Sequence, residues 1–284
     1  MTEILPPELE HLIFSLAFKS DPDNNLHLQC VAKRVHQWLV PLIYEVVINH
    51  SDRDWPPSGF PPAKLPLLGQ YVRHIFLQPT QDILISDIGT YLTFCRNLTN
   101  LALLNPSPLR DPGSNTPLPI TELLGNLPYL TELTTHINIF PSPLSESVSQ
   151  VLSRITHLDA VNGLYSWEDC KPLLLFPALT HLSVVYSTGY DLLYSILQNI
   201  PGLWVLLLWQ GADDSTMVEC DLKGFQDERV VYVECNFIGG WEMSARGMVG
   251  PWRFGEQVVA RRRREGMTAG RKLKNNDSGS SQVL

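Results

Sequence analysis

Apolar positions recur through the middle of the chain as a fixed phrase. Three copies open on apolar-Pro-x-Leu and close on a further apolar position: Leu127-Pro128-Tyr129-Leu130-Thr131-Glu132-Leu133, Phe176-Pro177-Ala178-Leu179-Thr180-His181-Leu182 and Ile200-Pro201-Gly202-Leu203-Trp204-Val205-Leu206. Residues 98–103 and 155–160 keep the L-x-x-L-x-apolar core without the proline, and residues 72–77 and 230–235 are looser copies. The first anchors fall at 72, 98, 130, 155, 179, 203 and 230, so the gaps are 26, 32, 25, 24, 24 and 27 residues. Self-similarity at such a period marks stacked units, none of which can bury its own apolar face alone.

Each phrase predicts one short strand, and the stretches between phrases often carry helical period. Ile120, Leu123, Leu124 and Leu127 fit one helix face; so do Leu144, Val148, Val151 and Leu152, and so do Leu84, Ile88, Tyr91, Leu92 and Cys95 within 82–95. Ser142 before Pro143 predicts a helix cap and first turn. The proline of the phrase stops a helix and biases the residue before it toward extended backbone. Pro172 interrupts the helix that 166–176 should hold, so a short or irregular turn is expected there. At the C-terminus, Trp252, Phe254, Val258 and Val259 followed by four arginines predict a final helix over about 254–265, with its cations where the dipole favours them.

The repeat phrases resemble those of leucine-rich repeats over about residues 70–236. Asn105, Asn138, Asn162 and Asn236 lie near the place where such repeats usually close on asparagine or cysteine, and the other copies lack one. The resemblance implies an α/β repeat: a leucine-rich-repeat-like solenoid of parallel strands plus helices. A conventional α/β sheet is the rival architecture.

The N-terminus reads differently. Leu5-Pro6-Pro7-Glu8-Leu9 opens an apolar helix with Leu12, Ile13, Leu16 and Ala17. Asp21-Pro22-Asp23-Asn24 is a turn whose Asp23 or Asn24 can cap the next helix, and Leu26, Leu28, Val31, Val35, Trp38, Leu39 and Leu42 supply a second apolar set. So short a segment cannot bury this many apolar residues by itself, and part of it should dock on something. The Leu5-Pro6-x-Glu8-Leu9 opening, Ile13-Phe14 and Leu28-x-x-Val31-x-Lys33-Arg34 resemble an F-box, over residues 5 to about 44. The likeness is strongest to the F-box proteins of mushroom-forming fungi. That family usually carries an aromatic residue where Val35 stands, and this chain has Trp38 one turn later. An F-box is a small all-α unit that docks on the adaptor subunit of a cullin-RING ubiquitin ligase. Carried over residue by residue, Leu5, Pro6, Leu9, Ile13, Val31 and Trp38 would form or support that contact. The alternative reading of this segment is a helical cap for the repeat array, which terminal repeats need.

Composition sets the outer bounds. With 284 residues and 44% hydrophobic content, wholesale disorder is excluded. The longest apolar run, residues 203–209, is far shorter than the ~18 residues of a membrane span. The Met-Thr-Glu start has no basic region, so no secretory signal is expected. Five cysteines at 30, 95, 170, 220 and 235, with no C-x-x-C pair, predict reduced, buried thiols and a cytoplasmic or nuclear protein. Residues 245–284 hold nine Lys+Arg against three Asp+Glu (+6), and the remainder holds 12 against 26 (−14). An acidic body argues against a broad nucleic-acid surface, and the basic end reads as a solvated tail. The expected division is a helical unit over 1–48, a proline-rich linker over 49–69, the repeat array over 70–240, a capping segment over 241–266 and a basic tail over 267–284.

No nucleophile elbow, metalloprotease helix or phosphate-binding loop occurs in the sequence, and no cofactor or metal is expected. Aligning the phrases puts His74, Asn100, Glu132, His157, His181, Val205 and Tyr232 in one column. Phe76, Ala102, Thr134, Asp159, Ser183, Leu207 and Glu234 then fall in the next column on the same face. With strands ~4.8 Å apart, His157, Asp159, His181 and Ser183 would form a compact group. A flat strand surface offers such a group neither an oxyanion donor nor a water-excluding pocket. The expectation is therefore a partner surface of Phe76, Glu132, His157, Asp159, His181, Trp209, Tyr232 and Glu234, all dependent on register. The expected function is that of a non-catalytic adaptor that presents a protein substrate to the ligase. The alternative is a repeat scaffold with no ubiquitin link.

Overall fold

The structure, a computed structural model, describes residues 5–22, 24–49, 65–78, 92–104, 123–140, 144–161, 163–185, 189–211, 218–220, 225 and 227–266. The proline-rich linker up to residue 64, most of the helix expected over 82–95 and the tail from 267 lie outside them, as does Ser142. The chain forms two compact units, Met1–Asn162 with Glu168–Leu179, and Gly163–Trp167 with Thr180–Leu284.

The first unit begins with helix α1 (Pro7–Ser20), a 3-10 turn (Leu26–Cys30) and helix α2 (Lys33–Ile43). Prolines 6 and 7 suit the start of α1. Leu9 and Glu10 donate their amides to the Pro6 carbonyl, and Pro7 has no amide to leave stranded. In the turn after α1, Asp21 accepts from the backbone and the side-chain amide of Asn24. Phe18, Val35 and Leu39 form the core of this helical part, with Phe14, Leu28, Trp38 and Leu42 packed around it. The Arg34 guanidinium grips both oxygens of Glu10 at 2.9 and 3.2 Å, tying α2 to α1.

Strand β1 (Val46–Asn49) begins three residues after α2, so the helical part ends before residue 46 and not at 48 as expected. After the short helix α3 (Leu65–Gly69) come β2 (His74–Leu77), β3 (Asn100–Leu103), β4 (Glu132–Thr135), helix α4 (Glu146–Leu152) and β5 (His157–Ala160). The five strands pair in parallel and in chain order. Helix α4 is capped by the Ser145 hydroxyl, which accepts from the Val148 amide, in place of the expected Ser142. After β5, a four-residue helix α5 (Trp167–Cys170) gives way to a 3-10 turn (Lys171–Leu175) at Pro172, the irregular passage that proline predicts.

Two regularities show why the phrase repeats. The first is a turn. The Leu98, Leu130, Ile155, Leu179 and Leu203 amides each donate to the carbonyl three residues earlier, at Cys95, Leu127, Leu152, Phe176 and Ile200. Where the phrase has proline, it occupies the second position of that turn, whose φ it already matches; where it does not, the same bond forms. The second is a ladder. The carbonyls of Glu45, Arg73, Thr99, Thr131 and Thr180 each accept from two successive amides of the following copy, at 2.7 to 3.2 Å. The threonine hydroxyls reinforce it, with Thr99 donating to the Arg73 carbonyl, Thr131 to Thr99 and Thr156 to Thr131. Anchors Val72, Leu98, Leu130 and Ile155, with Ile75, Leu101, Leu133 and Leu158 from the strands, are all buried and form the apolar spine. The arrangement is an α/β repeat.

The second unit holds β6 (His181–Val185), helix α6 (Tyr190–Asn199), β7 (Val205–Gly211), β8 (Val218–Cys220) and β9 (Val230–Cys235). It ends with helices α7 (Phe237–Ala245) and α8 (Pro251–Arg264). Strands β6, β7 and β9 are parallel neighbours, and β8 lies antiparallel on β9. Among the described residues, no helix is long and apolar enough to cross a membrane. Of the thiols, Cys95, Cys170 and Cys235 are buried, and burial pushes Cys95 and Cys170 up to about 12; Cys30, expected inside, is exposed.

Candidate functional site

The N-terminal helices carry a group of large apolar side chains left exposed. Leu5, Leu9, Leu12, Ile13, Leu16, Leu26 and Val31 are each 45–59% exposed. Positions 9, 12, 13 and 16 follow helical spacing, so one stripe of α1 is bare, with Leu5 exposed just before the helix, while Phe14 and Phe18 pack against α2. Of the residues expected to bind, Leu5, Pro6, Leu9, Ile13 and Val31 are exposed. Trp38 is half-buried and stacks on His11 at 5.2 Å, so only its outer part is offered. Leu12 and Leu16 extend the stripe beyond the residues that the F-box resemblance implies, and Leu26 is exposed in the turn after α1. Their signal is in the sequence, since α1 has more apolar positions than one buried face can take. Val35, where the F-box family usually has an aromatic, is 1% exposed and packs on Phe18 and Leu39.

The repeat face differs from the open surface expected. In the first unit, parallel register places His74, Asn100, Glu132 and His157 side by side, with Phe76, Ala102, Thr134 and Asp159 in the next row. Phe76 and Ala102 have no exposed surface, and Asn100 and Thr134 are also buried. Phe76 is therefore a core residue and not a contact residue: at a strand centre its ring is worth more packed than wet. The polar members are held by one another. Asn100 donates to Glu132 at 2.7 Å, and Thr134 donates to Asp159 at 2.9 Å. Burial, with the Asp159 charge beside it, raises the Glu132 carboxyl to about 7. Burial lowers His157 to about 4; it does the same to His74, where the Arg73 charge adds to it. The His157 ring nitrogen Nδ1 lies 2.8 Å from its neighbour Thr156 Oγ1.

In the second unit, helix α8 lies on the corresponding face. Val205, Leu207, Val231, Val233 and Cys235 form one buried cluster with Val258 and Val259, against which Trp252 and Phe254 pack. The approach is close because Gly255 has no side chain: a Cβ there would stand 2.7 Å from Leu207 Cδ2 and 2.9 Å from Val205 Cγ1. Arg262 donates to the Val230 carbonyl, and Arg263 pairs with Glu228 at 2.8 Å. His181 is buried, with Nδ1 2.8 Å from Thr180 Oγ1 and Nε2 3.3 Å from Glu256 Oε1, and its ring edges meet Trp204 and Trp252. It is thus a packed residue and not an open contact. Trp209, half-buried on this face, stacks on Phe237 at 4.7 Å.

Comparison with protein-family models and with curated proteins finds no match to this chain.

Tyr232 and Glu234 require a correction of register. Aligned by phrase, Tyr232 falls beside Val205; in the structure β9 pairs Val230 with Leu206, Tyr232 with Leu208 and Glu234 with Gln210. That shift of three residues, an odd number, turns both side chains to the opposite face from His181, Val205 and Leu207. There Tyr232 donates to the Gln210 side chain, and both Tyr232 and Glu234 are half-buried. The slip places Val231 and Val233 under α8, which explains why the looser phrase at 230–235 is apolar at every other position. Of the expected substrate-surface set, Glu132, His157 and Asp159 in the first unit and Trp209, Tyr232 and Glu234 in the second keep some exposed surface.

Proposed function

We propose that this protein is a non-catalytic substrate adaptor of a cullin-RING ubiquitin ligase. Its N-terminal helices act as an F-box-like unit that docks on the ligase adaptor subunit, and its leucine-rich-repeat-like solenoid binds the protein to be modified. The observation that carries the reading is the bare apolar stripe of α1, with Leu26 and Val31 of the same helical part also exposed. Monomeric proteins seldom leave so many large apolar side chains together in water, and such patches mark interfaces. Apolar anchors on one helix face suit insertion into a groove. The N-terminal F-box-like phrases supply the identity of the partner. The repeat ladder supports the solenoid half, because it leaves each unit dependent on its neighbours and extends a surface along the chain.

The test is binding of the full chain to the adaptor subunit, wild type against an Ile13→Asp, Val31→Asp double substitution. Both sites are exposed, so far-UV circular dichroism of the variant should match wild type. Saturable binding by wild type, weakened at least 100-fold in the folded variant, is the expected outcome. Absence of binding by wild type overturns the ligase reading and leaves a repeat scaffold whose N-terminus caps the array.

A further inference from the structure

We draw no further inference here: the strongest candidate, the Glu132 and Asp159 carboxylates held by Asn100 and Thr134 on the β4–β5 face of the first unit, is an acidic cluster, and no observation in the structure points to a ligand for it.

Discussion

Glu132 shows how a single side chain in the repeat face sets the pH response of the fold. Its carboxyl is raised to about 7, first by burial and then by Asp159, so the folded protein holds a proton that the unfolded chain has already released above the ordinary carboxylate range. Its contribution is therefore fully present at acid pH and is lost as pH rises toward and through 7. His74 and His157 act in the opposite sense. Both are lowered to about 4 from 6.5, so the unfolded chain binds more protons between those values and stability rises with pH across that window. Burial lowers His136 in the same sense, so below 6.5 the histidines act together against the one carboxyl. Glu132→Gln keeps an acceptor for Asn100 and removes the buried charge. Urea unfolding should find it about as stable as wild type at pH 4.5 and more stable at pH 8, by up to about 3 kcal/mol. Equal differences at the two pH values would contradict this account. The row itself is legible in the sequence, because the phrase shows strand parity. Its packing is not: polar neighbours flank Phe76 and His181 and suggest a wet surface, and nothing local reports what covers a strand.

At the scale of elements, the phrase fixes strands well and helices unevenly. The strands at 74–77, 100–103, 132–135, 157–160, 181–185 and 205–211 start within two residues of where the L-x-x-L spacing puts them. The turn and the ladder explain why, since each phrase carries its own hydrogen-bond instructions. The landing place of α8 is not legible in the sequence. Its apolar residues announce a buried face, but the surface it covers is set by a long-range choice that Gly255 alone hints at. Gly255→Val should cost about 1–3 kcal/mol by overpacking against Leu207 and Val205, readable as a lowered urea midpoint. At the preceding helix, Asn236 Oδ1 accepts from the Gly239 amide at 2.9 Å, and Asn236→Ala should cost about 1 kcal/mol, again read from the urea midpoint. Helix α1 offers a contrast between two apolar faces of one element. Phe18→Ala, emptying the core against Val35 and Leu39, should cost about 3–5 kcal/mol of the helical part's stability. Leu12→Gln with Leu16→Gln should change it by no more than about 0.5 kcal/mol, because both leucines are already more than half exposed and glutamine is a comparable helix former. A large loss from the glutamine pair would mean that the stripe is covered by this chain itself.

For the molecule as a whole, the proposed association belongs to the N-terminal stripe, and stability to the repeat spine and the α8 cluster. These are separable, since none of the stripe residues belongs to the buried core of the helical part. The most direct measurement of that separation is amide hydrogen exchange on the full chain, free and with saturating ligase adaptor subunit. Docking on the stripe slows exchange wherever local opening of the helices must precede it. The predicted result is protection gained across residues 7–34, with β6, β7, β9 and α8 unchanged. Protection gained on the repeats with none on α1, or no change at all, would contradict the account.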